Sequence, residues 1–324
     1  MKGGERREGD LCSAAESGRA QGHQAGPGTT CGEVEESMGI LSGLKSLGLG
    51  NLEDVSLFEE PKKKEAEKQE QVAAPKVQEK DLIYDRSFVC PVCDSSFTSK
   101  VMKSNKAKLL GTDADLRARY EGIDAAKYEV VMCPICGYAA LMRYFTGITS
   151  SQAKLVREKI SQTVRIQPSQ GDIYTYEEAI QRYKLALVGA VVKRAKPSEK
   201  AYICLKYAWL TRGYLESLKE QEAKADEKRV AEWEAQENEL LANAYKGFTE
   251  ARQTEMFPLC GMNEVTVDYL LAVLAARFQD YDMSVRLLSS IITSRTANSR
   301  IKDKARDMKD QVMLDMKKKQ QQQG

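Results

Sequence analysis

Beyond Ser150 the apolar positions recur every three or four residues, the spacing of one face of an α-helix. Ala153, Val156, Ile160 and Val164 make the first stripe, with Ser150 as its N-cap. Thr175-x-x-Glu178 has the form of a capping box and opens a helix whose face is Ala179, Tyr183, Ala186 and Ala190. Pro197 begins another, with Ala201, Leu205, Ala208 and Trp209 on its stripe. A long charged helix is predicted from about Lys219 to Met256, carrying Val230, Trp233, Leu240, Ala244, Phe248 and Ala251, and Pro258 and Gly261 end it. Val267, Leu270, Leu271, Leu274 and Phe278 mark a further helix; "DYDMSVRLLSSIITS" and "RIKDKARDMKDQVMLDMKKK" predict two more.

Upstream the pattern changes. "SFTSKVMKS" alternates as a strand does, and "KYEVVM" predicts a second strand. Between them "LLGTDADLRARYEGIDAAKY" carries turn signals and predicts a helical turn. Residues 1–37 are rich in Gly, Ser and charge and have no period, which predicts a disordered leader; Met38 reads as the natural start. Residues 38–58 hold Ile40, Leu41, Leu44, Leu47, Leu49, Leu52, Val55 and Leu57. This apolar segment either docks on the body or on a partner, or is a loosely ordered tail. "EEPKKKEAEKQEQVAAPKVQEKD" follows as a charged linker. Four parts result: a leader (1–37), the apolar segment and linker (38–80), a small β module (81–148) and a helical domain (149–320).

The cysteines say what the β module is for. "FVCPVCDSSF" and "YEVVMCPICGYAAL" each hold a C-P-x-C pair, Cys90 with Cys93 and Cys133 with Cys136. Two such pairs supply four thiolates, the complete shell of a tetrahedral structural zinc site. Proline stiffens each turn. Gly137, after the second pair, accepts a positive φ and lets amides point at the sulfurs; Asp94, at the matching place, tolerates that region better than most residues. Rubredoxin-type iron uses the same ligands, and two separate redox or disulfide pairs are the remaining alternative. The 39 residues from Asp94 to Met132 that separate the pairs are long for a compact rubredoxin. Strand, knuckle, strand, knuckle is the outline of a zinc ribbon with an insert. A module this small has little apolar area to bury, so a metal is a sensible staple.

Composition narrows the rest. The 324 residues carry 49 Lys and Arg against 47 Asp and Glu, a net charge of +2, so no global basic field recruits nucleic acid or membrane. No apolar run approaches the roughly 20 residues of a membrane span, and the N-terminus has no signal-peptide core. Eight cysteines, four of them in metal-type pairs, fit a reducing cytoplasm; Cys12 and Cys31 read as free, Cys204 as core and Cys260 as a partly buried thiol. The single histidine, His23, lies in the leader. That excludes a Ser-His-Asp or Cys-His site, an H-E-x-x-H hydrolase and a Glu-x-x-His di-iron site in the folded part. Four cysteines also leave a metal no open position for catalysis.

"YTYEEAIQRYKLAL" matches the second helix of a tetratricopeptide repeat, "AYICLKYAWLTRG" the first helix of the next, and "VDYLLAVLAARFQDYDMSVRLLSSII" a whole unit. The match is degenerate, the segment from Leu215 to Leu240 breaks the period, and a generic helical bundle is the alternative. The predicted fold is therefore mainly α: a small zinc-ribbon or rubredoxin-like β module followed by a TPR-like helical-repeat domain. Together with "YDRSFVCPVCDSSFTSK" and "KAKLLGTDADLRARYEGIDAAKYEVVMCPICGYAAL", these residues resemble a bacterial family catalogued as domain of unknown function 2225. The resemblance covers nearly everything from Met38 onward. It implies a cytosolic metal-binding protein and no particular activity. Many members carry histidine where this chain has Ile135, so that position is not an essential ligand here.

The expected function is a non-enzymatic zinc-binding adaptor that meets a protein partner through its helical repeats. Tyr183, Tyr202, Lys206 and Tyr207 are candidate groove residues. The alternatives are a nucleic-acid-binding ribbon using Lys100, Lys103, Lys106 and Lys108, for which solvated lysines are the plain reading, and an electron carrier with Fe in place of Zn.

Overall fold

The computed structural model describes residues 77–166, 169, 171–221 and 227–323. The leader, the apolar segment at 38–58 and most of the linker lie outside the described residues, with the expectations made for them. Three antiparallel hairpins precede the helices: β1 (Ile83–Val89) with β2 (Ser96–Met102), β3 (Leu109–Thr112) with β4 (Ala118–Tyr120), and β5 (Val130–Met132) with β6 (Ala139–Leu141). They remain three separate two-stranded sheets. A short helical turn, α1 (Met142–Phe145), leads to α2 (Ser150–Val156), then α3 (Tyr176–Val192), α4 (Pro197–Gln221), α5 (Glu227–Thr254), α6 (Glu264–Arg277), α7 (Tyr281–Thr293) and α8 (Ser299–Gln323). The described chain is thus mainly helical, with three small hairpins, of which β1–β2 and β5–β6 carry the cysteines. Among the described residues no helix is long and apolar enough to cross a membrane.

The predicted stripes are buried: Ala179, Tyr183, Ala186 and Ala190 on α3; Leu240, Ala244, Phe248 and Ala251 on α5; Val267, Leu270, Leu271 and Leu274 on α6. Consecutive helices pack on one another from α3 to α8. Small residues set how closely they approach. Ser284 of α7 donates its hydroxyl to the Ala272 carbonyl of α6 at 2.8 Å, and a Cβ on Gly247 of α5 would lie 2.9 Å from that of Ala201 on α4.

Two local expectations need correction and a third is incomplete. The N-cap of α2 is Thr149, not Ser150: its hydroxyl accepts from the Gln152 amide while the Gln152 side chain accepts from the Thr149 amide, a full capping box. The helix predicted from Lys219 is two helices, because α4 continues to Gln221 and α5 begins at Glu227. The insert between the cysteine pairs folds largely as the β3–β4 hairpin; its helical turn is confined to Ala125–Tyr128. The capping box at Thr175 and Glu178 is present as predicted.

The β5–β6 hairpin is buried on both faces. Val130, Ala139 and Leu141 point into the main core with α3 to α6, while Val131 and Ala140 point into a second cluster with Cys90, Cys133, Tyr138, Phe145, Val156 and Ile160. Alternation along two short strands therefore joins the helical core to the cysteine cluster. The change near residue 148 is one of secondary structure, not a break in packing.

Candidate metal centre

The two cysteine pairs occupy equivalent turns at the ends of β1–β2 and β5–β6. In the first, the Asp94 amide donates to the Cys90 carbonyl (2.8 Å) and the Cys90 amide to that of Ser95 (3.0 Å). In the second, Gly137 donates to Cys133 (3.1 Å) and Cys133 to Tyr138 (2.8 Å). Asp94 and Gly137 both have positive φ, 59° and 73°. The two turns are the same device, with aspartate tolerated where the first is exposed and glycine required where the second is packed: a Cβ on Gly137 would meet Val164 at 2.6 Å.

These turns bring four sulfurs together. Cys90 Sγ lies 3.5 Å from Cys136 Sγ, and Cys93 Sγ lies 3.7 Å from Cys133 Sγ. All four lie within 4.8 Å of one another. Four thiolates about 2.3 Å from a central zinc stand about 3.8 Å apart, so the observed edges suit one tetrahedral ion. A disulfide needs about 2.05 Å, and all four cysteines are free. The amides of Val92 and Cys93 serve the Cys90 sulfur, those of Cys136 and Ile135 the Cys133 sulfur, and that of Tyr138 the Cys136 sulfur. Such donors stabilise thiolates and orient them.

The electrostatics follow from crowding. Hydrogen bonds from the Cys136 and Cys90 thiols hold the Cys133 thiol down to about 2. Cys90 is pushed up to about 12, first through its bond to Cys133, and Cys136 is pushed up by Cys133 and Cys90. One thiolate is favoured at the expense of its neighbours; four together require a cation among them. The cluster is also enclosed. Cys90 and Cys133 are fully buried, Cys136 is 5% exposed and Cys93 is half-buried. Ile135 is 64% exposed, turned away from the sulfurs, so nothing at that position completes the shell.

The family described as an uncharacterized protein conserved in bacteria, DUF2225, matches residues 83–312, from the first strand of the knuckle module into the last helix. The chain belongs to the DUF2225 family. No curated protein and no solved structure matches it. The matched span of this DUF2225 protein contains the whole cysteine cluster and α2 to α7.

The other candidate residues separate into two groups. Tyr183 and Tyr207 are core residues, correcting their assignment to a groove. They lie on the same buried stripes as the small residues of α3 and α4, stack at 5.6 Å, and are 0% and 3% exposed. The Tyr183 hydroxyl donates to the Ala126 carbonyl at 3.1 Å, which locks α3 to the knuckle module. Tyr202 and Lys206 are half-buried in the same joint: Lys206 pairs with Glu129 at 2.7 Å and lies over the rings of Trp209 and Tyr202. Among the lysines, Lys100 pairs with Asp85 (3.5 Å), Lys108 with Glu121 (3.3 Å), and Lys103 donates to the Asp81 carbonyl (3.1 Å); Lys106 is exposed. Carboxylates interleave with this face, so it is not a continuous basic strip. Cys204 is core, and Cys260 is half-buried with its thiol donating to the Ser198 carbonyl (3.2 Å); burial pushes both thiols up.

Sequence reasoning missed a network of ion pairs under the β3–β4 hairpin. Asp113 and Asp115 take Arg212 of α4 at 3.2 and 2.7 Å; Arg117 and Arg119 take Glu216 at 3.1 and 2.7 Å; Glu237 of α5 bridges Arg212 and Arg277 of α6. Trp209 Nε1 donates to Asp115 at 3.0 Å. Asp113, Asp115 and Arg117 lie in the loop between the strands and Arg119 in β4, so no strand alternation in the sequence announced the network. Leu116, at φ 71°, shows that the loop is held in a conformation unusual for leucine.

Proposed function

We propose that this protein is a non-enzymatic scaffold in the reducing cytoplasm, in which Cys90, Cys93, Cys133 and Cys136 bind one Zn2+ that fastens the β1–β2 hairpin to a TPR-like helical body, and that the body receives a protein partner. The observation that carries it is the spacing of the four sulfurs, which suits a tetrahedral ion and leaves no protein-free position on it. Zinc bound this way supplies cross-linking rather than chemistry. Supporting the helical part of the reading, Ala179, Ala186, Ala208, Ala272 and Ser284, the small residues of the repeat pattern, are all buried where helices meet. The joint formed by Tyr183, Tyr207 and the β5–β6 hairpin makes the two parts one body, so the metal acts on the scaffold's rigidity.

Metal analysis with an absorption spectrum tests the metal. One colourless zinc per chain is expected; a red iron–thiolate protein moves the reading to electron transfer. A crosslinking pull-down tests the adaptor role, and a partner captured by the wild type should be lost or weakened when Cys90 and Cys133 are both replaced. Salt-sensitive binding to DNA or RNA in place of a protein partner would instead favour the lysine face.

A further inference from the structure

The outward stripe of α3 changes character along its length. Gln181 and Lys184 are polar, but Val188 and Val191, the next exposed positions, are 49% and 61% exposed. The change occurs where α3 borders a groove of about 800 Å³. Both α3 and α5 pack on α4, and the groove is the space left between them, floored by Leu187, Ala201, Cys204 and Leu240. Along α5 it runs from Glu232 to Glu250, about 27 Å at about 1.5 Å per residue. Met256, 91% exposed, stands at the same end as Pro197, because the neighbouring Glu255 carboxylate takes the Ser198 amide and hydroxyl.

Charge along the groove is uneven. Glu232 and Glu239 line one end without a basic neighbour in the lining, whereas Lys200 and Lys246 accompany Glu250 at the other. We infer that this groove receives an amphipathic helix of a protein partner, its apolar ridge on Leu187, Val191 and Leu240 and its lysines or arginines beside Glu232 and Glu239. A helix fits because the walls are helix side chains and offer no strand edge, so the occupant must satisfy its own backbone. About five turns match the length. The inference rests on the scaffold reading above and names the surface and the partner's chemistry.

The test is selection from a phage-displayed library of 18-residue helical peptides, randomised at ridge and flank positions, against the full-length zinc-loaded protein. Winners should carry apolar residues at i, i+4 and i+7 with Lys or Arg on one flank. Their affinity should fall about tenfold or more on Val191→Glu, an exposed change, and a Glu232→Lys/Glu239→Lys variant should select acidic flanks instead. Unchanged circular dichroism and zinc content certify each variant. Winners indifferent to charge, winners that bind Val191→Glu equally, or no winners would overturn the inference. So would a dimer abolished by Val191→Glu, which makes a second copy the occupant. A crosslinked partner retained by both variants would overturn the groove and leave the scaffold reading standing, whereas no partner for the wild type would remove the scaffold reading itself.

Discussion

The two knuckles have the same backbone bonds and opposite surroundings. The first sits on β1, whose central residues Tyr84 to Ser87 are all exposed, and is flanked by Val89 at 60% exposure. The second sits on β5–β6, buried on both faces between the helical core and α2. What holds the first arm to the body is the four sulfurs with buried Val92 beside them, a triangle of Phe88, Phe97 and Phe145 with ring centroids 5.8 to 5.9 Å apart, the packing of Leu82 and Ile83 on Tyr128 and Tyr174, and polar bonds of Tyr174 with Ser99 and Lys100 and of Glu79 with Tyr128 and Lys127. A metal matters most where a structural arm has little core of its own.

The largest expected effect comes from the metal. Cys93→Ser and Cys133→Ser should each abolish stoichiometric zinc binding, removing an interaction on the order of 10 kcal/mol. Hydrogen exchange should then lose protection in β1 and β2 under both changes, with α4 to α7 retained. Cys133→Ser should loosen β5, β6 and α3 as well, because that knuckle belongs to the shared core, whereas Cys93→Ser should spare them. Identical exchange maps would erase the distinction between the knuckles. Acid should mimic either change: ligand thiolates protonate as pH falls, so apparent zinc affinity must decrease toward low pH.

Next comes Phe145, which is 1% exposed and the corner where both arms meet. Phe145→Ala should cost about 3–5 kcal/mol in denaturant unfolding, against about half that for half-buried Phe97→Ala. A smaller effect sharpens the contrast between the turns. Gly137→Ala adds a Cβ against Val164 at positive φ and should cost about 2–3 kcal/mol, while Asp94→Gly should change stability by less than about 1 kcal/mol. The smallest concerns the lysine face. Replacing Lys100, Lys103, Lys106 and Lys108 together should leave zinc content unchanged and shift the unfolding midpoint only slightly, since exposed ion pairs are worth little.

The sequence was legible where one local rule acted alone. C-P-x-C, followed by a residue able to take positive φ, identified both knuckles and the four cysteines that cluster. Capping chemistry at Thr175 and small residues at helical spacing placed α3 and its buried stripe. It was illegible where the deciding contacts are distant. Tyr183 and Tyr207 were groove candidates although aromatic residues on such helices are more often core; only the approach of α3 to α4 and of Ala126 to both decides it. The β3–β4 hairpin was missed because its strands are short and its loop is held by Arg212, Glu216 and Trp209, about a hundred residues downstream. The packing across residue 148 was illegible for a related reason: β5 and β6 are three residues each, too short to reveal that both faces are covered.

Thiol footprinting of the native protein, read by mass spectrometry alongside the intact mass, tests the central claim most directly. The intact protein should carry one zinc ion. Cys90, Cys93, Cys133 and Cys136 should resist alkylation together and become reactive together when zinc is chelated. A protein free of metal that keeps β1–β2 protected from exchange, or four thiols that react one by one without loss of zinc, would contradict it.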